Sequence, residues 1–208
     1  MKTKVEYSVQ KLSIDELMRF FYEEKVEGYC KNCPNYNKRY TCPPFEFSKI
    51  EYIRKFNQVF IIGSKWYKED IPKELWDKNK ILDAFESMRE QVSKIVLDYE
   101  KEILGSEALL IGTCTNCEIC NKVIDKPCKN KQKQRYSLEA LGFLVSDIAK
   151  NVLNTEILWQ KEGMIDYHFS VSAILLKSEE NIENLKKYLD KNREFEIFFK
   201  KSKYKKRE

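Results

Sequence analysis

Seven cysteines carry the chemistry open to this chain of 208 residues, and they fall in two groups. Cys114-Thr-Asn-Cys117-Glu-Ile-Cys120 sets three thiols at every third position, and Cys128 follows directly after Pro127. The earlier group is Cys30-Lys-Asn-Cys33 and then Cys42-Pro43-Pro44. Deprotonated thiols are metal ligands. Three of them around one tight loop, with a fourth able to close the shell from the other side, read as a metal site. An odd number of cysteines also suits ligation better than a set of disulfides.

The later run resembles the iron–sulfur pattern C-x2-C-x2-C-x3-C-P of bacterial ferredoxins in its first three positions; the step to the fourth cysteine is longer here, and the proline precedes it. A [4Fe-4S] cluster offers a separate iron to each thiolate. A tetrahedral zinc, at about 2.3 Å from each sulfur, crowds three consecutive cysteines around one centre. The expected cofactor is therefore one [4Fe-4S] cluster on Cys114, Cys117, Cys120 and Cys128, with zinc as the alternative. Cys30, Cys33 and Cys42 read in three ways: a second cluster with one iron open, a zinc site with a non-cysteine fourth ligand, or thiols that bind nothing. His168, the sole histidine, is the only imidazole for such a shell, and its ordinary reading is a half-buried residue at the start of a strand.

These loops need elements to hang from. Ala108-Leu-Leu-Ile-Gly112 is an apolar run of strand length that leads into Cys114, and Val59-Phe-Ile-Ile-Gly63 reads as an interior strand. Val5, Tyr7 and Val9 alternate with polar residues as a half-buried strand. Ser13-Ile-Asp-Glu16 has the form of a capping box; the helix it predicts carries Leu17, Phe20 and Phe21 to about residue 25 and stops at Gly28. Residues 29–44 have no periodicity and three prolines, which predicts a loop. Ser48 predicts a short helix to about residue 56. The stripe Ile81, Phe85, Met88, Val92, Ile95, Tyr99 and Ile103 predicts the longest helix, over 81–104, ended by Gly105.

Ser137 predicts a helix carrying Leu138, Leu141, Leu144, Val145, Ile148, Ala149 and Val152. Strands are expected at 156–159 and 168–176, joined through Gly163. A helix over 178–189 capped by Ser178 and a strand through Phe195, Ile197 and Phe199 complete the order. The fold class is thus α/β of the α+β kind: a mixed sheet with a ferredoxin-like split βαβ core in the second half, helices on its faces and cysteine loops at strand ends.

Composition narrows the class further. With 42% hydrophobic and 13% aromatic residues the chain can build a core, and 34% charged residues with no apolar run of membrane length argue against a spanning helix. Residues 200–208 hold six Lys/Arg and one Glu, which accounts for the whole formal charge of +5, so the body is neutral and nucleic acid is not an expected partner. The expectation is a single metal-binding domain over 1–199 and a basic tail over 200–208. The first residues lack an apolar signal region, which points to a reducing cytoplasm. Nothing reads as a dinucleotide fingerprint or a P-loop. A protein redox partner and a small-molecule substrate are the partners expected.

The early Cys-x2-Cys ending in Cys-Pro-Pro, the later Cys-x2-Cys-x2-Cys with Pro127-Cys128-Lys129, and Ser137-Leu-Glu139-Ala140-Leu-Gly142 together resemble the prokaryotic family of predicted metal-binding proteins (domain of unknown function 2284). The resemblance covers most of the chain and is anchored at residues 30–44 and 114–142. It implies metal binding with all seven cysteines as candidate ligands, and it names no reaction. Around them, Ser137 is expected to cap a helix whose N-terminal N–H groups point toward the cluster, its ordinary reading being a plain cap. Glu139 serves the helix dipole or carries protons, and Lys129 stands where family members often have arginine. The leading function is an iron–sulfur protein in electron transfer or small-substrate redox chemistry. The alternatives are a structural zinc protein acting as an interaction or accessory module, and a metal carrier.

Overall fold

The computed structural model describes residues 2–76, 78–159 and 165–196. In chain order its strands and helices are β1 (Lys2–Lys4), β2 (Glu6–Ser13), α1 (Ile14–Met18), α2 (Glu23–Lys31), α3 (Lys49–Ile53), β3 (Gln58–Tyr67), α4 (Lys78–Glu100), β4 (Glu107–Leu109), α5 (Val145–Asn151), β5 (Tyr167–Leu176), α6 (Ile182–Lys191) and β6 (Glu194–Glu196). The fold is α+β, as its sequence indicates.

Four strands form one sheet in the order β2-β3-β5-β4, every neighbouring pair antiparallel, and β1 pairs with β6 beside it. The sheet is therefore antiparallel among the described residues, where a mixed one was expected. The strands β3 and β5 are the two continuous apolar runs, and such runs bury both faces. Val59 and Ile61 join Val171, Ala173 and Leu175 in a core under α1, α3 and α5. Phe60 and Ile62 join Ile174 and Leu176 in a second core under α4 and α6. Helices thus cover both faces. No helix among the described residues is long and apolar enough to cross a membrane.

The split βαβ unit is present and starts earlier than the second half of the chain. Both β3 and β4 run antiparallel to β5, which lies between them, so they are parallel to each other, and α4 makes the crossover. The segment expected as a strand at 156–159 has no strand pairing. β3 takes the vacant side of β5, continuing past Gly63 to buried Trp66 and half-buried Tyr67. Of the closing strand only β6 is described; Ile197, Phe199, the Gly163 link and the basic tail lie outside the described residues.

Several helix ends differ from expectation; α4, for one, ends at Glu100, short of the expected 104. The capping box forms, with Ser13 and Glu16 satisfying each other's backbone N–H groups. However, α1 stops at Met18, because residues 20–22 turn to pair with the turn around Gly142: Tyr22 N–H donates to Gly142 O at 2.9 Å and Leu144 N–H to Phe20 O at 3.0 Å. A separate helix, α2, then runs through Gly28 and carries Cys30 in its last turn. The expected helix from Ser137 is a single turn, ended by Gly142 at φ +95, and α5 begins afresh at Val145. The cap of α6 is Asn181, which accepts from Glu183 N–H, and Ser178 lies before it.

Candidate metal centre

β4 ends after three residues because Leu110 N–H donates to Tyr136 O at 2.8 Å, leaving residues 111–135 free to form the long cysteine loop. Gly112, at φ +64, turns the chain out of the strand; a Cβ there would stand 2.9 Å from Arg89 Nη1, so the guanidinium of α4 packs directly on this turn. The far end of the loop is tied down by Arg135, whose Nε donates to Glu100 Oε1 at 2.7 Å and Oε2 at 3.1 Å. Glu100 Oε1 also accepts from Ala108 N–H at 3.1 Å, so one buried carboxylate locks helix, strand and loop together.

The earlier cysteines come from α2 and the loop after it. Lys49, buried, pairs with Glu23 at 3.1 Å and Glu27 at 3.2 Å, joining α2 to the start of α3. Beyond Cys42 and Pro43, Phe45 and Phe47 stack at 4.9 Å and pack with Tyr136, which anchors this loop beside the later one. The two cysteine loops then clasp each other. Cys42 Sγ and Thr113 Oγ1 lie 3.2 Å apart, and Cys114 N–H donates to Thr41 Oγ1 at 3.3 Å. Arg39 Nη1 donates to the carbonyls of Cys114 at 3.0 Å and Cys117 at 3.4 Å, and Tyr40 Oη donates to Lys126 O at 2.7 Å.

All seven cysteines are free thiols; Cys33 is exposed and the others are half-buried. Cys114, Cys117, Cys120 and Cys128 line one cavity of about 20 Å³ with Arg39, Thr41, Asn116 and Asn130. Asn130 Nδ2 donates to Cys117 Sγ at 3.1 Å. Burial raises the Cys114 thiol above its ordinary range, opposed by the Asn116 N–H and the Arg39 charge and reinforced by Cys117 and Cys128. In the other group burial pushes Cys30 up to about 11, with Glu139, Cys42 and Cys33 adding to it. Cys42 is also raised by burial, against the hydrogen bond with Thr113. The thiols are therefore gathered as two neighbouring groups with Arg39 acting on both. Among the described residues no three His, Cys, Asp or Glu side chains stand close enough together to hold a metal ion as they are. The donor chemistry of the four-thiol cavity nonetheless suits a thiophilic metal or cluster.

The remaining sequence candidates separate. Ser137 is buried and its Oγ accepts from Ala140 N–H at 3.2 Å, capping the single turn. Glu139 sits on that turn with its carboxylate buried; burial raises its pKa, while hydrogen bonds from its own backbone and Ser137, and the Arg89 charge, oppose the rise. Lys129 is exposed. His168 packs against Phe85 at 4.1 Å and Trp66 at 5.5 Å, which makes it a ring of the core edge and places it with no cysteine group. Arg39, Thr41, Thr113 and Asn130 were not singled out by spacing. Arg39 alone had a signal, as the one arginine between Cys33 and Cys42.

Residues 16–176 match the family described as predicted metal-binding protein (DUF2284). No curated protein and no solved structure matches the chain.

Proposed function

We infer that this chain, which belongs to the family of predicted metal-binding proteins, holds a [4Fe-4S] cluster on Cys114, Cys117, Cys120 and Cys128 and serves electron transfer or redox chemistry on a small substrate. The observation that carries this reading is the single cavity lined by those four cysteines, with Asn130 donating to one of the sulfurs. When bound, such a cluster supplies a one-electron couple. The chain's own part is to set its surroundings: the Asn130 amide places a donor on a sulfur, the Arg39 guanidinium adds positive charge and fixes two carbonyls of the loop, and Thr113 and Thr41 hold the neighbouring loop against it. Donors and positive charge beside the sulfurs favour the reduced state. Cys30, Cys33 and Cys42 are a second set of candidate ligands, which a non-cysteine partner would complete to four. The electrons come from another protein in the cytoplasm.

One observation favours a second reading. A cavity of about 20 Å³ has room for about one water-sized body, which suits a single tetrahedral zinc ion in a structural role. Serine substitutions separate the two. In protein reconstituted with iron and sulfide without oxygen, Cys117→Ser and Cys128→Ser should lose the visible absorption of the cluster in this cavity, leaving only what the Cys30 group holds, while Asn116→Ser retains it. Full absorption in both cysteine variants would overturn the assignment of the cluster to this cavity.

A further inference from the structure

Three large apolar side chains stand exposed within residues 119–124 of the later cysteine loop: Ile119, Val123 and Ile124, at 69%, 55% and 55%. Cys120 lies between the first and the other two. It precedes the 3-10 turn Asn121–Ile124, and Val123 N–H donates to Cys120 O at 3.1 Å. The apolar side chains are therefore carried on the backbone of a cysteine that lines the four-thiol cavity. The chain then folds back on this turn: Lys126 N–H donates to Asn121 O at 3.1 Å, and Asn121 Nδ2 to Pro127 O at 2.8 Å. Single exposed apolar residues are ordinary, whereas several gathered around one braced turn mark a contact surface.

The same stretch concentrates positive charge. Over residues 115–134 stand Lys122, Lys126, Lys129, Lys131 and Lys133, with Glu118 and Asp125 as the acids, in a chain whose body is otherwise balanced. Lys122 is half-buried and the other four are exposed. None of the five forms an ion pair among the described residues, and none lines the four-thiol cavity. An apolar centre with a charged rim is the build of a protein interface, and redox encounters use the smallest of these. Unpaired ammonium groups match carboxylates on the partner, which speed encounter and set its orientation. A nucleic-acid strand is the poorer match, since residues 115–134 include no aromatic side chain on which a base could stack. The same face of a second copy carries the same lysines and is repelled.

We propose that this surface docks a small acidic electron-carrier protein, with Val123 and Ile124 at the centre of the contact and Lys126 and Lys131 on its rim. The proposal rests on the redox reading of the four-cysteine centre, and measuring binding instead of electron flow keeps the two separable. The full chain, purified without oxygen and assayed for iron, sulfide and zinc, is titrated calorimetrically with oxidised plant-type ferredoxin and with oxidised flavodoxin, both acidic. Basic cytochrome c is the control of opposite charge. Both acidic carriers should bind saturably, about fivefold or more weaker when salt rises from about 0.05 M to about 0.3 M, and cytochrome c about tenfold or more weaker than either. Lys126→Glu with Lys131→Glu should weaken binding by about tenfold or more, and Lys187→Glu with Lys191→Glu on α6, the same change of charge, by less than about twofold. Val123→Ser with Ile124→Ser should weaken it by about threefold or more. No saturable binding of either acidic carrier, indifference to salt, equal losses in the two charge variants, or tighter binding of a single-stranded oligodeoxynucleotide would each overturn the proposal. Zinc without sulfide in a sample that binds the carriers would remove the redox reading and leave the docking surface standing. The carrier and salt series need only unmodified protein, so a variant that fails to fold leaves the proposal decidable.

Discussion

Arg39 is one of the side chains that join the two cysteine loops, its guanidinium donating to the carbonyls of Cys114 and Cys117 from the loop that ends in Cys42. Groups that orient ligands without touching the metal typically contribute about 10–100-fold to affinity. Arg39→Gln is therefore expected to lose metal about tenfold faster under chelator challenge, with far-ultraviolet circular dichroism unchanged. His168 belongs to stability instead. Burial, then the Arg89 charge, hold its pKa down at about 4. The unfolded chain takes up that proton near the ordinary histidine value and the folded chain does not, so its contribution is complete above about pH 6.5 and falls away toward about pH 4. Urea titrations should show the parent losing about 2 kcal/mol more than His168→Phe between about pH 7 and pH 5; parallel losses would contradict the burial argument. At this scale the grouping of the later cysteines was legible, because thiols at every third position of one tight loop must lie close together. Thr113 was not legible because its contact with Cys42 crosses between the two loops, and Asn130 because its contact with Cys117 comes from how its own loop folds back, which no local spacing records.

Elements show where sequence and fold part. The β3 and β5 strands and the α4 helix could be read from their apolar runs and stripe because burial on one or two faces leaves a period. One position of the stripe differs: Val96 is buried in the core where Ile95 only packs against it. Gly28 misled, since a glycine after an apolar stripe reads as a stop, yet it lies inside α2 with nothing within 4 Å of an added Cβ. Gly28→Ala should consequently stabilise the protein by about 0.5–1 kcal/mol in chemical denaturation, and a loss of stability would mean the helix does not continue through it. Gly142 differs: its φ is +95 and a Cβ would stand 2.9 Å from the Phe21 ring, so this glycine is required where the α2 start meets the Glu139 turn. The end of α1 could not be foreseen, because residues 20–22 give up helical bonds for partners at 142 and 144, more than a hundred residues away in sequence.

Taken as a whole, the molecule separates scaffold from centre. Neither hydrophobic core includes a cysteine, and both are closed by helices lying on the sheet. Folding of the body is therefore expected not to depend on metal, in contrast to small zinc domains that unfold without it. Hydrogen exchange on loaded and stripped protein should show protection changing within residues 29–44 and 111–135 and staying constant in β3 and β5; loss of protection throughout the sheet on stripping would show that metal supplies the fold. The measurement that tests the central claim most directly is iron, sulfide and zinc content of protein purified without oxygen. A cluster on Cys114, Cys117, Cys120 and Cys128 predicts about four irons and four sulfides per chain, rising to about eight of each if Cys30, Cys33 and Cys42 hold a second. Zinc without sulfide, in protein that has never met air, would contradict it.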